Sequence, residues 1–176
     1  MKILKDNPLQ DKEELKWYTK LTMDLGVRKY LEIGSYEGGT TYAVLANSPA
    51  SSLGVSIDLN HNSFNIVKEE LTTLGYDIRT YTGDSKDVSI IEQVRKLSPY
   101  DLVFIDGDHT YEGVKTDWYN YGSLAPVVVI HDVCGRDNPY THDVWKFWQE
   151  LKMFKPYIEV NFSDYQLGYG VIFNAV

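Results

Sequence analysis

One cysteine, Cys134, stands in the whole chain. That scarcity excludes an internal disulfide and a thiolate-built zinc cluster, and Cys134 itself reads as a half-buried small residue after a strand. Positive charge is also short: 17 Lys and Arg against 25 Asp and Glu leave a net charge of -8. A duplex-binding surface needs clustered cations to displace counterions from phosphates, so nucleic acid is not an expected partner. No apolar run approaches the roughly 20 residues that span a bilayer. The opening MKILKDNPLQ is not the apolar core of a signal peptide, so the expectation is a cytoplasmic protein with no membrane partner. The dinucleotide fingerprint G-x-G-x-x-G is absent as well, because Gly34 is followed by Tyr36, Gly38 and Gly39. Repeats, low-complexity tracts and linkers are missing, and 176 residues suit one domain. That domain is expected to span 1–176, with 1–27 as a helical segment packed on or capping it.

What is present is a rhythm. Strand candidates lie at Lys29–Ile33, Leu53–Ile57, Tyr76–Thr80, Leu102–Ile105 and Val127–Ile130. Helical segments near 39–47, 62–74, 87–97 and 111–122 follow the first four of them. Such alternation is the signature of a parallel sheet wrapped by helices on both faces. An amphipathic N-terminal segment carries Leu15, Tyr18 and Leu25 on one side and Gly26 as its C-terminal cap. Val144, Phe147, Trp148 and Leu151 recur at i, i+3, i+4 and i+7, a core-facing helical stripe. The end of the chain breaks the rhythm: YIEVNF and GYGVIF are separated by only a few residues, too few for a crossover helix. The predicted fold is therefore a seven-stranded, mostly parallel, Rossmann-like α/β sheet whose last strand is inserted antiparallel beside the fifth.

In an open α/β sheet ligands bind beyond the carboxyl ends of the strands. The residues just past those ends are Glu32, Gly34, Ser35 and Tyr36; Asp58; Asp84 and Ser85; Asp106 to His109; and His131 with Asp132. Any one of these acids also reads as the N-cap of the following helix, Asp84 and Asp108 above all. Five acidic strand ends on one rim suit a ligand with positive charge and hydroxyl groups, or a hard metal ion. The glycines of YLEIGSYEGGTTYAVL let backbone N–H groups approach a ligand. Glu32 beside them would repel a pyrophosphate and attract a cation.

LEIGSYEGGT resembles the first motif of class I S-adenosylmethionine-dependent methyltransferases, and Tyr36 in place of the usual middle glycine is similar to the catechol-type O-methyltransferases. VFIDGDHTYEGVKTDW followed by VVVIHDV resembles a bacterial branch that includes the macrolide-sugar and rhamnosyl O-methyltransferases. The resemblance covers about residues 28 to 134, and the terminal hairpin fits that family's sheet. It implies S-adenosylmethionine as cofactor. Gly34, Ser35, Tyr36, Gly38 and Thr40 would surround its methionine end, with Glu32 near its amino group. Asp58 would take the ribose hydroxyls, and Asp84 and Ser85 the adenine; Asp106 would border the cofactor as well.

The resemblance further implies chemistry at a hydroxyl of a small molecule or sugar. Two means of deprotonating it are present: a divalent metal, magnesium or manganese, held by Asp106 and Asp132, and a base, His109. The chain departs from the pattern at Val133 and His131, where the relatives place asparagine and glutamate respectively. Imidazole at 131 is a poor magnesium ligand and a better one for manganese, iron or zinc, which makes His131 a third metal candidate. His61 and His142 are expected on the surface. The loop Cys134–Asp143 is the expected acceptor wall, with Tyr140 to stack on a ring and Arg136 to pair with an acidic group. A short N-terminal segment leaves either an open acceptor site or one completed by another subunit of a homo-oligomer. Two other readings stay open: a non-catalytic cofactor-binding or accessory protein, and an NAD-dependent oxidoreductase, which the missing fingerprint and the hairpin disfavour.

Overall fold

Apolar runs flanked by amphipathic segments bury most easily as strands sandwiched between helices, and the chain does this. The computed structural model describes residues 11–136, 141–162 and 167–174. In chain order the elements are α1 (Lys12–Asp24), β1 (Lys29–Ile33), α2 (Gly39–Leu45), β2 (Leu53–Asp58), α3 (Phe64–Thr73), β3 (Asp77–Thr82) and α4 (Val88–Arg95). There follow β4 (Leu102–Ile105), α5 (Tyr111–Tyr121), β5 (Val127–His131), α6 (Val144–Lys152), β6 (Tyr157–Val160) and β7 (Tyr169–Phe173). The seven-stranded sheet runs β3-β2-β1-β4-β5-β7-β6. Strands β1 to β5 are parallel. β7 lies antiparallel between β5 and β6, as the short hairpin connection requires.

Alternation along each strand divides the core in two. Leu31, Ile33, Val103, Ile105, Val128 and Ile130 face a layer made by α4, α5 and α6. Tyr30, Leu102, Phe104, Val127 and Val129 face α1, α2 and α3. The α6 stripe is buried as its spacing predicts, with Trp148 fully enclosed. α1 enters the second layer through Tyr18, whose ring lies 4.9 Å from Phe104 and 5.3 Å from Tyr169. Among the described residues no helix is long and apolar enough to cross a membrane.

Three expectations shift. β3 starts and ends later than Tyr76–Thr80: the Tyr76 N–H closes the end of α3 on Leu71, and pairing with β2 continues to Asp58 opposite Thr82. Leu25 is 42% exposed rather than on the buried side of α1, because it forms the cap where the helix ends and Gly26 turns left-handed at φ +65°. The caps of α4 and α5 are Asp87 and Thr110, which accept from Ser89 and Gly113, and not Asp84 or Asp108.

Insertion of β7 depends on a bare backbone. A Cβ at Gly170 would lie 2.6 to 2.8 Å from three ring atoms of Trp148. That ring cannot yield easily, since its Nε1 donates to Glu159 at 2.6 Å and its faces are packed. Gly170→Ala is expected to destabilise the protein by about 1 to 3 kcal/mol, the usual cost of overpacking, as read from urea unfolding.

Candidate functional site

Where β1 ends, Gly34 adopts φ +82° and its N–H bonds to the Ile57 carbonyl at 2.9 Å. A side chain there would strike the Asp106 carbonyl oxygen at 2.1 Å, so the tip of β1 touches the tip of β4 without one. Tyr36, also left-handed at φ +47°, turns its N–H onto Asp58 Oδ2 at 2.8 Å. The other Asp58 oxygen accepts from Asn60 N at 3.0 Å. Each carboxylate oxygen keeps lone-pair capacity for a further donor.

These strand ends border a cavity of about 1140 Å³. Of the expected residues, Gly34, Tyr36, Asp58, Asp84, Ser85, Asp106, His109, His131 and Asp132 line it. Glu32, Ser35, Gly38 and Thr40 do not. Glu32 points into the α2 layer, where its carboxyl accepts from the Thr41 hydroxyl and is hydrogen-bonded to Tyr30. Ser35 is buried and bonds to Ser56 at 2.6 Å, which in turn meets His61 Nε2 at 2.9 Å. His61 is therefore no surface residue: it is 5% exposed and its other nitrogen meets Thr82 at 2.8 Å. The polar run LNHNSF hides this, because the residue is drawn inward by partners on β2 and β3. His142 is exposed as expected, yet it borders the cavity. Arg136 sits 5.3 Å over the Trp145 ring, and Tyr140 lies outside the described residues.

The densest chemistry joins β4, β5 and α1. His109 Nε2 lies 3.2 Å from Asp106 Oδ1 and 3.1 Å from Asp132 Oδ2. His131 Nδ1 lies 3.2 Å from Asp106 Oδ1 and 3.3 Å from Asp132 Oδ1. The two histidines thus hold the same carboxylate pair, His109 from the open side and His131 from within. Behind His131 stands Glu14 of α1, fully buried, with Oε2 3.7 Å from His131 Nε2 and Oε1 accepting from Gly168 N at 3.0 Å. Nothing in the local pattern of α1 announces Glu14, which reads as an ordinary first-turn acid.

Burial opposes the charge on Asp106, but His131 and His109 outweigh it and hold this carboxyl well below the usual range. Hydrogen bonds to Asp106 and Asp132 push His109 up to about 10. His131 is pulled down by burial and raised further by the two aspartates, ending well above its ordinary value. Ligand atoms of Asp106, His109 and Asp132 all lie within 4.8 Å of one another, a spacing that can hold a metal ion. His131, the third metal candidate from the sequence, lies behind that group.

Residues 31–133 match the model of a family described as a methyltransferase domain, and the chain belongs to that family. It is also 39% identical over 79 residues to the uncharacterized protein y4gI of Sinorhizobium fredii. That match takes in 43% of this chain and 8% of the relative, so the chain spans a small part of that protein's length. Among solved structures, the O-methyltransferase from Bacillus cereus in complex with SAH shares the fold at TM-score 0.70 and 16% identity, over 94% of this chain and 82% of that one. A caffeoyl-CoA O-methyltransferase-like protein from Staphylococcus aureus matches at TM-score 0.70 and 19% identity, over 95% and 86%. The O-methyltransferase TomG from Streptomyces achromogenes matches at 0.69 and 16%, over 93% and 80%.

Burial pushes the Glu32 carboxyl from 4.5 up to about 8, with the Thr41 hydrogen bond working against that rise. A group whose folded value is raised contributes stability that is full below its unfolded value and is lost as pH climbs through the folded one. The stability of the wild-type protein relative to Glu32→Gln is therefore expected to fall between pH 4.5 and 8, as measured by urea midpoints across that range.

Proposed function

We propose that this chain transfers the methyl group of S-adenosylmethionine to a hydroxyl of a small molecule or sugar, as the bacterial catechol-type and sugar O-methyltransferases do, with a divalent cation assisting. The observation that carries this reading is the shared cavity: Asp58, a bidentate acceptor beside the Gly34 turn, opens into the same space as Asp106, Asp132 and His109. The family match and the neighbouring O-methyltransferases, two of them solved with SAH or SAM, support it.

The residues fit both groups. Asp58 offers free lone pairs to two ribose hydroxyls, and Ser85 and Asp84 border the far end of the cavity, where an adenine would lie. Glu32, expected near the amino group of the cofactor, is buried behind the cavity wall and hydrogen-bonded to Thr41 and Tyr30. The carboxylates of Asp106 and Asp132 would supply oxygen ligands for manganese or magnesium, with the His109 imidazole beside them as proton acceptor rather than ligand. When bound, S-adenosylmethionine supplies an electrophilic methyl on a sulfonium, and a cation would lower the pKa of the acceptor hydroxyl.

The chain's own contribution is alignment and proton handling. His109 cannot act as a base while Asp106 and Asp132 hold it protonated, with its pKa near 10. It would become one if a cation engaged those carboxylates, because their charge would then no longer hold the imidazole protonated. Asp106 and Asp132, pinned from behind by His131, keep the acceptor end fixed.

S-adenosylhomocysteine is expected to bind with micromolar or tighter affinity, and Asp58→Ala to weaken it by about 1.5 to 3 kcal/mol, the scale of hydrogen bonds to a charged partner. Calorimetry showing no heat with this ligand but binding of NAD would overturn the reading. His109→Gln should lower turnover about 100-fold or more, the range of general-base catalysis, and EDTA should abolish it. Full turnover in excess EDTA would remove the metal, and an unimpaired His109→Gln enzyme would remove the base.

A further inference from the structure

Asp117 is a fully buried acid that the chemistry above does not use. It projects from the middle of α5, and its Oδ1 accepts from the Ser85 hydroxyl at 2.6 Å. One turn later Tyr121 donates its hydroxyl to the Ser85 carbonyl, also at 2.6 Å. α5 therefore grips Ser85 at two points, side chain and backbone. Asp117 Oδ2 is buried without a hydrogen-bond partner, beneath the turn at Gly107, whose Cβ position is 3.4 Å away. A half-satisfied buried carboxylate costs stability, so a neutral or apolar residue would serve a purely structural role better.

Resting on the methyltransferase reading, we propose that Asp117 fixes the hydrogen-bonding polarity of Ser85 and thereby makes this end of the cavity selective for a 6-aminopurine over a 6-oxopurine nucleoside.

A serine hydroxyl has one proton and two lone pairs. The proton of Ser85 is committed to a carboxylate that has none to give in its ionised form. Burial raises Asp117 only to about 6, which leaves it mostly ionised at neutral pH. Ser85 and Asp84 line the cavity and offer lone pairs to it, while the Lys86 ammonium that also borders it is engaged by Asp108 at 2.8 Å. An exocyclic amino group donates to such a wall. A carbonyl at the same ring position meets acceptor with acceptor, and sites built on hydrogen bonds reject the wrong partner strongly. Asp117 does not line the cavity, so it is a positioning residue acting through Ser85.

The test compares S-adenosylhomocysteine with its 6-oxo analogue, S-inosylhomocysteine, by calorimetry on the full chain and on Asp117→Ala, Ser85→Ala and the double variant. The wild-type protein is expected to prefer the amino form by about 100-fold or more, and each single variant to reduce that ratio about 10-fold. Asp117→Ala frees the serine proton, so it should also bind S-inosylhomocysteine more tightly than wild type does, a gain that structural damage cannot produce. The double variant should discriminate no less than Ser85→Ala alone, because the two residues act as one unit. An unchanged ratio in the single variants, or equal loss of both ligands, overturns the proposal. Should Asp117→Ala not fold, an unchanged ratio in Ser85→Ala overturns it alone. Wild type binding both nucleosides equally defeats this inference and leaves the methyltransferase reading intact; binding of neither defeats both.

Discussion

The contact between the tips of β1 and β4 is the constraint on which the site depends. Gly34 lies so close to the Asp106 carbonyl that a methyl group would overlap it at 2.1 Å. Its positive φ is one that side-chain-bearing residues rarely adopt. With that residue bare, β1 and β4 pair in register up to Ile33 and Ile105 and then diverge at the point where the strand order switches sides. Asp58 is drawn to one side of this point through the Tyr36 N–H, and Asp106 stands on the other. One glycine thus sets the separation between the acid suited to ribose hydroxyls and the acid suited to a cation.

A second layer of constraint is electrostatic. Glu14, Asp106 and Asp132 bring three carboxyls into a mostly buried cluster, which is tolerable only because two histidines stand among them. The two are not equivalent. His131 is enclosed by Phe104 and Tyr169 and faces an acid on each side, so it is a fixed part of the wall. His109 is 32% exposed at its side chain and holds the carboxylates from the cavity side. The asymmetry of burial, more than residue type, leaves His109 as the one of the pair that a ligand in the cavity can reach.

Much of this was legible in the chain because strand-end residues follow apolar runs in sequence. Asp58, Asp106 and Asp132 could be placed on one rim from position alone, and the terminal hairpin followed from the short link between YIEVNF and GYGVIF. The family motifs assigned the rim its chemistry. Glu14, Asp117 and His61 were illegible for a common physical reason. Each is defined by a partner on a distant element: His131 for Glu14, Ser85 for Asp117, and Ser56 with Thr82 for His61. No local period marks a polar residue that turns inward. Boundaries moved where backbone pairing outlasted the apolar run, as when β3 followed β2 to Thr82.

α5 connects the two ends of the cavity. Its cap, Thr110, directly follows His109, whose carbonyl is held by the Asp143 N–H at 3.2 Å. Two turns further on, Asp117 and Tyr121 hold Ser85. The first turn is pressed against Asp108, where a Cβ at Gly113 would lie 2.1 Å from the carboxyl carbon, and Asp108 in turn pairs with Lys86 at 2.8 Å, next to Ser85. A shift of α5 along its axis would therefore move His109 and Ser85 together. The distance between these two ends of the cavity is fixed by one helix rather than by two independent loops, and in the proposed reading those ends take the adenine and the reacting group, whose alignment methyl transfer depends on.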